Sequence, residues 1–228
     1  MKETILKETE DNAYEFDVAA LTGLSVGPLD VNCYIVWDKA TLEGFIIDPG
    51  GNSDEIEAEV KTRGLKIKYL LNTHGHFDHV GANSELTKSL NAKVVLHKAD
   101  TALLESAVDM AAMYGCKVKE APKAEMMVAN GDVLKAGSLE LKVIHTPGHT
   151  KGGVSYYSEK DGLIFTGDTL FAGGIGRTDF PGGSMEEIVT SIKGRLFTLP
   201  ESVIVLPGHG PNSTIGDEKS SNPFVQGE

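Results

Sequence analysis

The stretch "NTHGHFDHVG" at 72–81 sets His74, His76, Asp78 and His79 within six positions, in a chain of 228 residues that has only seven histidines. Imidazoles and a carboxylate gathered this closely lose their hydration together unless each finds a partner, and a metal ion satisfies all of them at once. A lone His-x-His pair reads equally well as a polar loop; Asp78 and His79 shift the balance to a metal centre. The donors directly follow "IKYLLN" at 67–72, an apolar run that predicts a buried strand, so they stand at a strand end.

The same arrangement recurs along the chain. His149 follows "LKVI" through "HTPGHT", Asp168 follows "LIFTG", and His209 follows "VIVLPG". Four strand ends therefore deliver seven potential ligands. Proline and glycine ahead of His149 and His209 make tight turns that aim a side chain back over the strand end. One "PGH" alone reads as a surface turn; its repetition at strand ends points to a shared site. His97 and His145 match no such position, since His145 ends a strand and His97 is expected to open a helix.

Outward from these motifs, short apolar runs rich in β-branched residues predict strands at 31–37, 44–48, 67–72, 93–96, 139–146, 153–158, 163–167 and 202–208. "SDEIEAEVKTRG" at 53–64 has Ile56 and Val60 at helical spacing and Gly64 as its C-terminal cap. A second helix starts at Ser184, with Glu187 completing a capping box and Ile188, Ile192 and Leu196 on one face. Two comparable halves emerge, each a sheet with helices outside. Packed face to face they make an α/β fold, an αββα four-layer sandwich, expected to span 1–228 as a single domain. No internal sequence repeat accompanies this similarity. "ALLESAVDMAAMYG" at 102–115 is apolar enough for a core helix, a lid or a contact surface, and core is the expectation.

Hydrophobic residues at 40% and charged residues at 24% are ordinary for a globular protein, and the formal net charge of −12 disfavours nucleic acid or an anionic membrane as partner. "MKETILKETEDNAYEF" has no apolar core of a secretory signal, and no run approaches the ~20 apolar residues of a spanning helix. Cys33 and Cys116 do not read as a disulfide framework, and both are expected to be small buried side chains in a cytoplasmic protein.

"THGHFDHVGAN", "HTPGHTKGG", "FTGDTLFAGGIGRTDF" and "LPGHG" resemble the successive motifs of the metallo-β-lactamase superfamily. They look most like those of its hydroxyacylglutathione hydrolase (glyoxalase II) branch, in a short form without the added C-terminal helical domain. The resemblance implies that His74, His76 and His149 hold one metal, that Asp78, His79 and His209 hold a second, and that Asp168 bridges them. Zinc is the expected metal, with iron and manganese also compatible with such donors. The implied chemistry is hydrolysis of a thioester such as S-lactoylglutathione by a metal-bridging hydroxide, with Asp78 accepting a hydrogen bond from it. Arg177, in the loop after Asp168, would then hold the glycine carboxylate of glutathione. Gly210 and Pro211 stand where the longer enzymes carry a tyrosine after the last histidine, so the thiol carrier is open. The alternatives are a mononuclear iron dioxygenase acting on glutathione persulfide, from a branch that shares the "GRTDF" loop, and a non-catalytic metal-binding scaffold. The small-molecule partner is thus a thioester, while oligomeric state is undetermined by sequence.

Overall fold

The computed structural model describes residues 13–120 and 123–226. Most of the opening segment read above as lacking a signal lies outside the described residues. Seven strands form the first sheet, in the order β1 (Tyr14–Glu15), β2 (Ala19–Val26), β3 (Val31–Asp38), β4 (Glu43–Ile47), β5 (Lys66–Leu71), β6 (Lys93–His97) and β7 (Met126–Val128). The first three pairings are antiparallel and the last three parallel. The second sheet contains β8 (Val133–Ala136), β9 (Leu139–His145), β10 (Val154–Ser158), β11 (Leu163–Gly167), β14 (Ile204–Pro207) and β15 (Ser213–Thr214). Its order is β15-β14-β11-β10-β9-β8, with only β11 and β14 parallel. A hairpin of β12 (Leu170–Phe171) and β13 (Gly174–Ile175) stands beside it.

Both faces of both sheets are covered, which is why the strands read as near-continuous apolar runs rather than alternating ones. Along β3, Tyr34 and Val36 point between the sheets, while Cys33, Ile35 and Trp37 point outward. Along β11, Leu163 and Phe165 meet the first sheet's Phe45 and Leu71 across the sandwich, and Ile164 faces out. Helices α1 (Ser53–Thr62) and α3 (Asn83–Leu90) cover the first sheet through Ile56, Val60 and Leu86. Helix α6 (Met185–Ser191), continued by a π-helical turn at Ile192–Leu196, and α7 (Ile215–Ser221) cover the second through Ile188, Ile192, Leu196 and Ile215. The four layers are those expected from the sequence.

Local chemistry sets the helix ends. Gly64 takes a positive φ of 65° and its N–H donates to the Lys61 carbonyl, closing α1. Ser184 accepts a hydrogen bond from the Glu187 N–H at the start of α6, while its own N–H donates to the Gly148 carbonyl rather than to the Glu187 side chain, so only half of the expected capping box is made. The 102–115 segment is a broken helix rather than one: α4 (Thr101–Glu105) and α5 (Ala107–Met113) meet at Ser106, whose hydroxyl donates to the Leu103 carbonyl. Its inner face is core, with Leu104, Ala107 and Ala111 packed on Phe77, Val80 and Leu96, but Met113 and Tyr114 are exposed. Cys33 is buried as expected. Cys116 is only half-buried, a correction that follows from its place on the loop beyond α5.

Candidate metal centre

The strand ends of both sheets meet at one rim, where the seven predicted donors converge. His74, His76, Asp78 and His79 come from the loop after β5 and from the short helix α2 (Phe77–Val80); His149 follows β9, Asp168 follows β11 and His209 follows β14. Three overlapping groups each bring their donor atoms within 4.8 Å of one another: His74, His76 and His149; His74, His79 and Asp168; Asp78, His79 and His209. Nε2 of His79 lies 3.4 Å from Asp168 Oδ1 and 3.7 Å from Asp78 Oδ2. On the other carboxylate edge, Asp168 Oδ2 is 3.7 Å from His149 Nε2 and 3.8 Å from His209 Nε2. These spacings exceed hydrogen bonds but suit donors arranged around cations. The loops can close in because Gly208 lacks a Cβ, which would fall 2.4 Å from Asp168 Oδ1 and 2.7 Å from His79 Cε1.

Hydrogen bonds behind the donors fix which ring nitrogen faces the site. Asp48, buried at the end of β4, accepts from the Thr73 N–H at 2.8 Å and from the Thr73 hydroxyl at 2.7 Å. Having donated its only proton, that hydroxyl accepts from His74 Nδ1–H at 3.0 Å. Oδ2 of Asp48 also takes His79 Nδ1–H at 3.0 Å, and His149 Nδ1–H donates to the Arg177 carbonyl at 2.7 Å. At His74 and His149 the bond leaves an Nε2 lone pair turned inward, the tautomer that a metal ligand needs, and at His79 it turns Nε2 toward the site. Asp100 plays a similar part further out, accepting from Gly75 N–H, Thr150 hydroxyl and Gly152 N–H, and so ties the loops of His74 and His149 together.

The residues fit a metal on three observations. His74 Nε2, His79 Nε2 and Asp168 Oδ1 are buried with no hydrogen-bond partner among the described residues, a costly state without a ligand. His149 Nε2 and His76 Nδ1 face each other at 3.0 Å, close enough for a proton or a cation to join them. Protonation also behaves as a ligand set requires. Burial and the neighbouring histidines push His74 well below its ordinary value, and the same causes, burial then His149, take His76 down to about 4. Burial would lower His79 too, yet Asp168, Asp78 and Asp48 outweigh it and raise that imidazole well above its ordinary value, so a proton compensates these carboxylates where a cation otherwise would.

Comparisons with known proteins agree with this arrangement. The family model described as the metallo-beta-lactamase superfamily matches residues 26–209. The chain belongs to the metallo-β-lactamase superfamily. Members of this superfamily similar to it include a probable metallo-hydrolase of Bacillus subtilis (strain 168), 39% identical, covering 90% of this chain and 96% of the relative. The hydroxyacylglutathione hydrolase GloC of Haemophilus influenzae is 38% identical, over 85% of this chain and 92% of that protein. Among solved structures, the BLEG-1 B3 metallo-β-lactamase superposes with a TM-score of 0.85 at 36% identity, covering 91% of this chain and all (100%) of the other. TTHA1623, solved in a di-iron-bound form, gives 0.82 at 37%, over 89% and 98%. ETHE1 from Myxococcus xanthus gives 0.72 at 30%, over 90% and 84%.

Every donor named from sequence lies in these three groups at the rim. His97 and His145 stay outside the donor groups, stacked on each other with ring centroids 4.4 Å apart. His97 ends β6 and opens the 3-10 helix Lys98–Asp100 as its N-cap, as expected. Arg177 lies at the mouth with its guanidinium 4.2 Å over the Phe180 ring, and Phe180 in turn meets His76 edge-on at 5.7 Å. Asp48 and Asp100 were not singled out from sequence. A signal for Asp48 was present: "GFIIDPGG" puts a carboxylate at a strand end, as "LIFTGD" does. Among the described residues no helix is long and apolar enough to cross a membrane.

Proposed function

We propose that the protein is a binuclear metal-dependent hydrolase of thioesters, with S-hydroxyacylglutathione conjugates such as S-lactoylglutathione as the substrate class. The observation that carries this is the shared carboxylate: Asp168 turns one oxygen toward His79 and the other toward His149 and His209, which suits a bridge between two cations. The likeness to GloC supports the substrate class. Two divalent cations, zinc in the first place, would supply an acidic water, a Lewis acid for the carbonyl and an acceptor for the leaving thiolate. Asp78 points Oδ2 at His209 and His79, and its carboxylate would accept a hydrogen bond from the attacking water. Although burial alone would raise the Asp78 carboxyl, His79 and the His209 contact hold it below the usual carboxylate range, so it stays an acceptor at neutral pH. Arg177 would meet a carboxylate of the thiol carrier. A small anionic thioester, rather than a nucleic acid or a membrane surface, is the partner that this acidic chain suits.

A second reading, a mononuclear iron dioxygenase of glutathione persulfide, draws support from the likeness to ETHE1. One assay pair separates them. Metal-loaded protein given S-lactoylglutathione should consume thioester, and given glutathione persulfide should consume no oxygen. The reverse pattern, with a metal content fixed at one iron, would replace the hydrolase by the dioxygenase; inactivity on both would leave the scaffold.

A further inference from the structure

Arg177 does not present a bare guanidinium. Its Nε and Nη2 both engage the carboxylate of Asp179, at 2.9 Å to Oδ1 and 2.7 Å to Oδ2, a side-on fork between residues two apart in the chain. The pair stands in the open, with side chains 64% and 66% exposed. It is nonetheless tied to the site from three sides: the Arg177 carbonyl accepts from His149, the guanidinium lies on Phe180, and Phe180 meets His76. Any carboxylate approaching the mouth therefore finds the fork already holding one.

On the thioester-hydrolase reading above, we infer that Asp179 is a specificity-determining residue: it competes for the Arg177 fork with the carboxylate of the thiol carrier and so biases the site toward carriers that do not depend on that contact. An intramolecular carboxylate two residues away is present at high effective concentration, so a substrate carboxylate must displace it. Because the pair is exposed, the effect is modest, a factor of about two to five in affinity.

The test compares wild type, Asp179→Asn, Arg177→Ala and the double variant, each loaded with metal. Two thioesters with the same lactoyl group are used, one of glutathione and one of the neutral thiol N-acetylcysteamine. Asp179→Asn should shift the ratio of KM values toward the glutathione thioester by about two- to fivefold, and this shift should disappear when Arg177 is absent. An unchanged ratio, or a shift toward the neutral carrier, overturns the proposal. A shift that persists without Arg177 also overturns it, because Asp179 then acts only as a like charge. Calorimetric titration with S-methylglutathione supplies a readout without turnover: Asp179→Asn should bind it tighter by the same factor, again only with Arg177 present. Should neither thioester be hydrolysed, the function above fails, while the titration still decides the role of Asp179.

Discussion

At the scale of single residues, Asp168 carries the most. Both of its oxygens face imidazole nitrogens of different donor groups, and burial, which would raise its carboxyl, is outweighed by His79, His149 and His209, which hold it well below the usual carboxylate range. On the binuclear reading, Asp168→Ala removes the carboxylate that two cations would share and leaves their repulsion uncompensated. Elemental analysis should show loss of at least one metal, with most activity gone; full metal content and near-normal turnover would sink the bridging role. His145→Ala, whose ring stacks on His97 and meets the Lys151 carbonyl, should keep its metal. Arg177→Ala should raise KM for a carboxylate-bearing thioester more than it lowers kcat, because the contact is remote from the carbonyl. A charge-assisted bond alone gives about a ten- to hundredfold loss in kcat/KM. Since the fork already holds Asp179, the expectation falls to about tenfold, and an equal loss with a neutral-thiol thioester would remove Arg177 from carrier binding.

At the scale of elements, Asp38 shows how the two halves of the sandwich are tied. It ends β3, where its Oδ1 accepts from the N–H groups of Ala40 and Thr41, and its Oδ2 reaches across to the Ser138 N–H in the turn between β8 and β9. Burial raises this carboxyl, but the backbone donors of Ser138, Thr41 and Ala40 outweigh it and hold it below the usual range. A folded value below the unfolded one means that the contribution is fully present above about pH 4 and is lost as pH falls through the folded value. Asp38→Ala should therefore cost about 1–3 kcal/mol at pH 7 in urea unfolding, with the gap to wild type narrowing below about pH 4. A gap independent of pH would mean that the charged form is not what matters. Elements such as this turn were poorly legible in sequence. The eight expected strands all exist because burial on both faces writes long apolar runs. β2 did not stand out because Gly23 interrupts its run. β8 and β15 are too short for any pattern to register, and the break at Ser106 depends on a hydroxyl competing for a backbone carbonyl, which spacing alone does not reveal.

At the scale of the whole molecule, two sheets bring separate strand ends to one rim, and charge at that rim decides the coupling between metal and protons. The donors themselves could be read from sequence because each follows an apolar run; of the groups behind them Asp48 leaves the same strand-end signal, whereas Asp100 reaches its partners only through the folded sandwich. Burial and the charges of the donors themselves set the protonation of the metal-free protein. His74 and His76 are held neutral at pH 7, so they can accept a cation without losing a proton. His79 is the reverse: surrounded by Asp168, Asp78 and Asp48, it keeps its proton at pH 7, and that proton must leave before its Nε2 can act as a donor. His209 is lowered by burial but raised overall by its contact with Asp78 and by Asp168, which adds to the same effect. Metal binding to the chelator-stripped protein should therefore release on the order of one proton at pH 7, drawn chiefly from His79. The measurement is calorimetric titration with zinc in buffers of different ionisation enthalpy, where the slope of observed enthalpy against buffer enthalpy counts the protons. His79→Gln removes the titrating group, so the slope should fall by most of its value even where one metal still binds at His74, His76 and His149. A slope near zero in the wild type, with zinc taken up in full, would mean that His79 is neutral before the metal arrives and that the carboxylates around it are compensated in some other way.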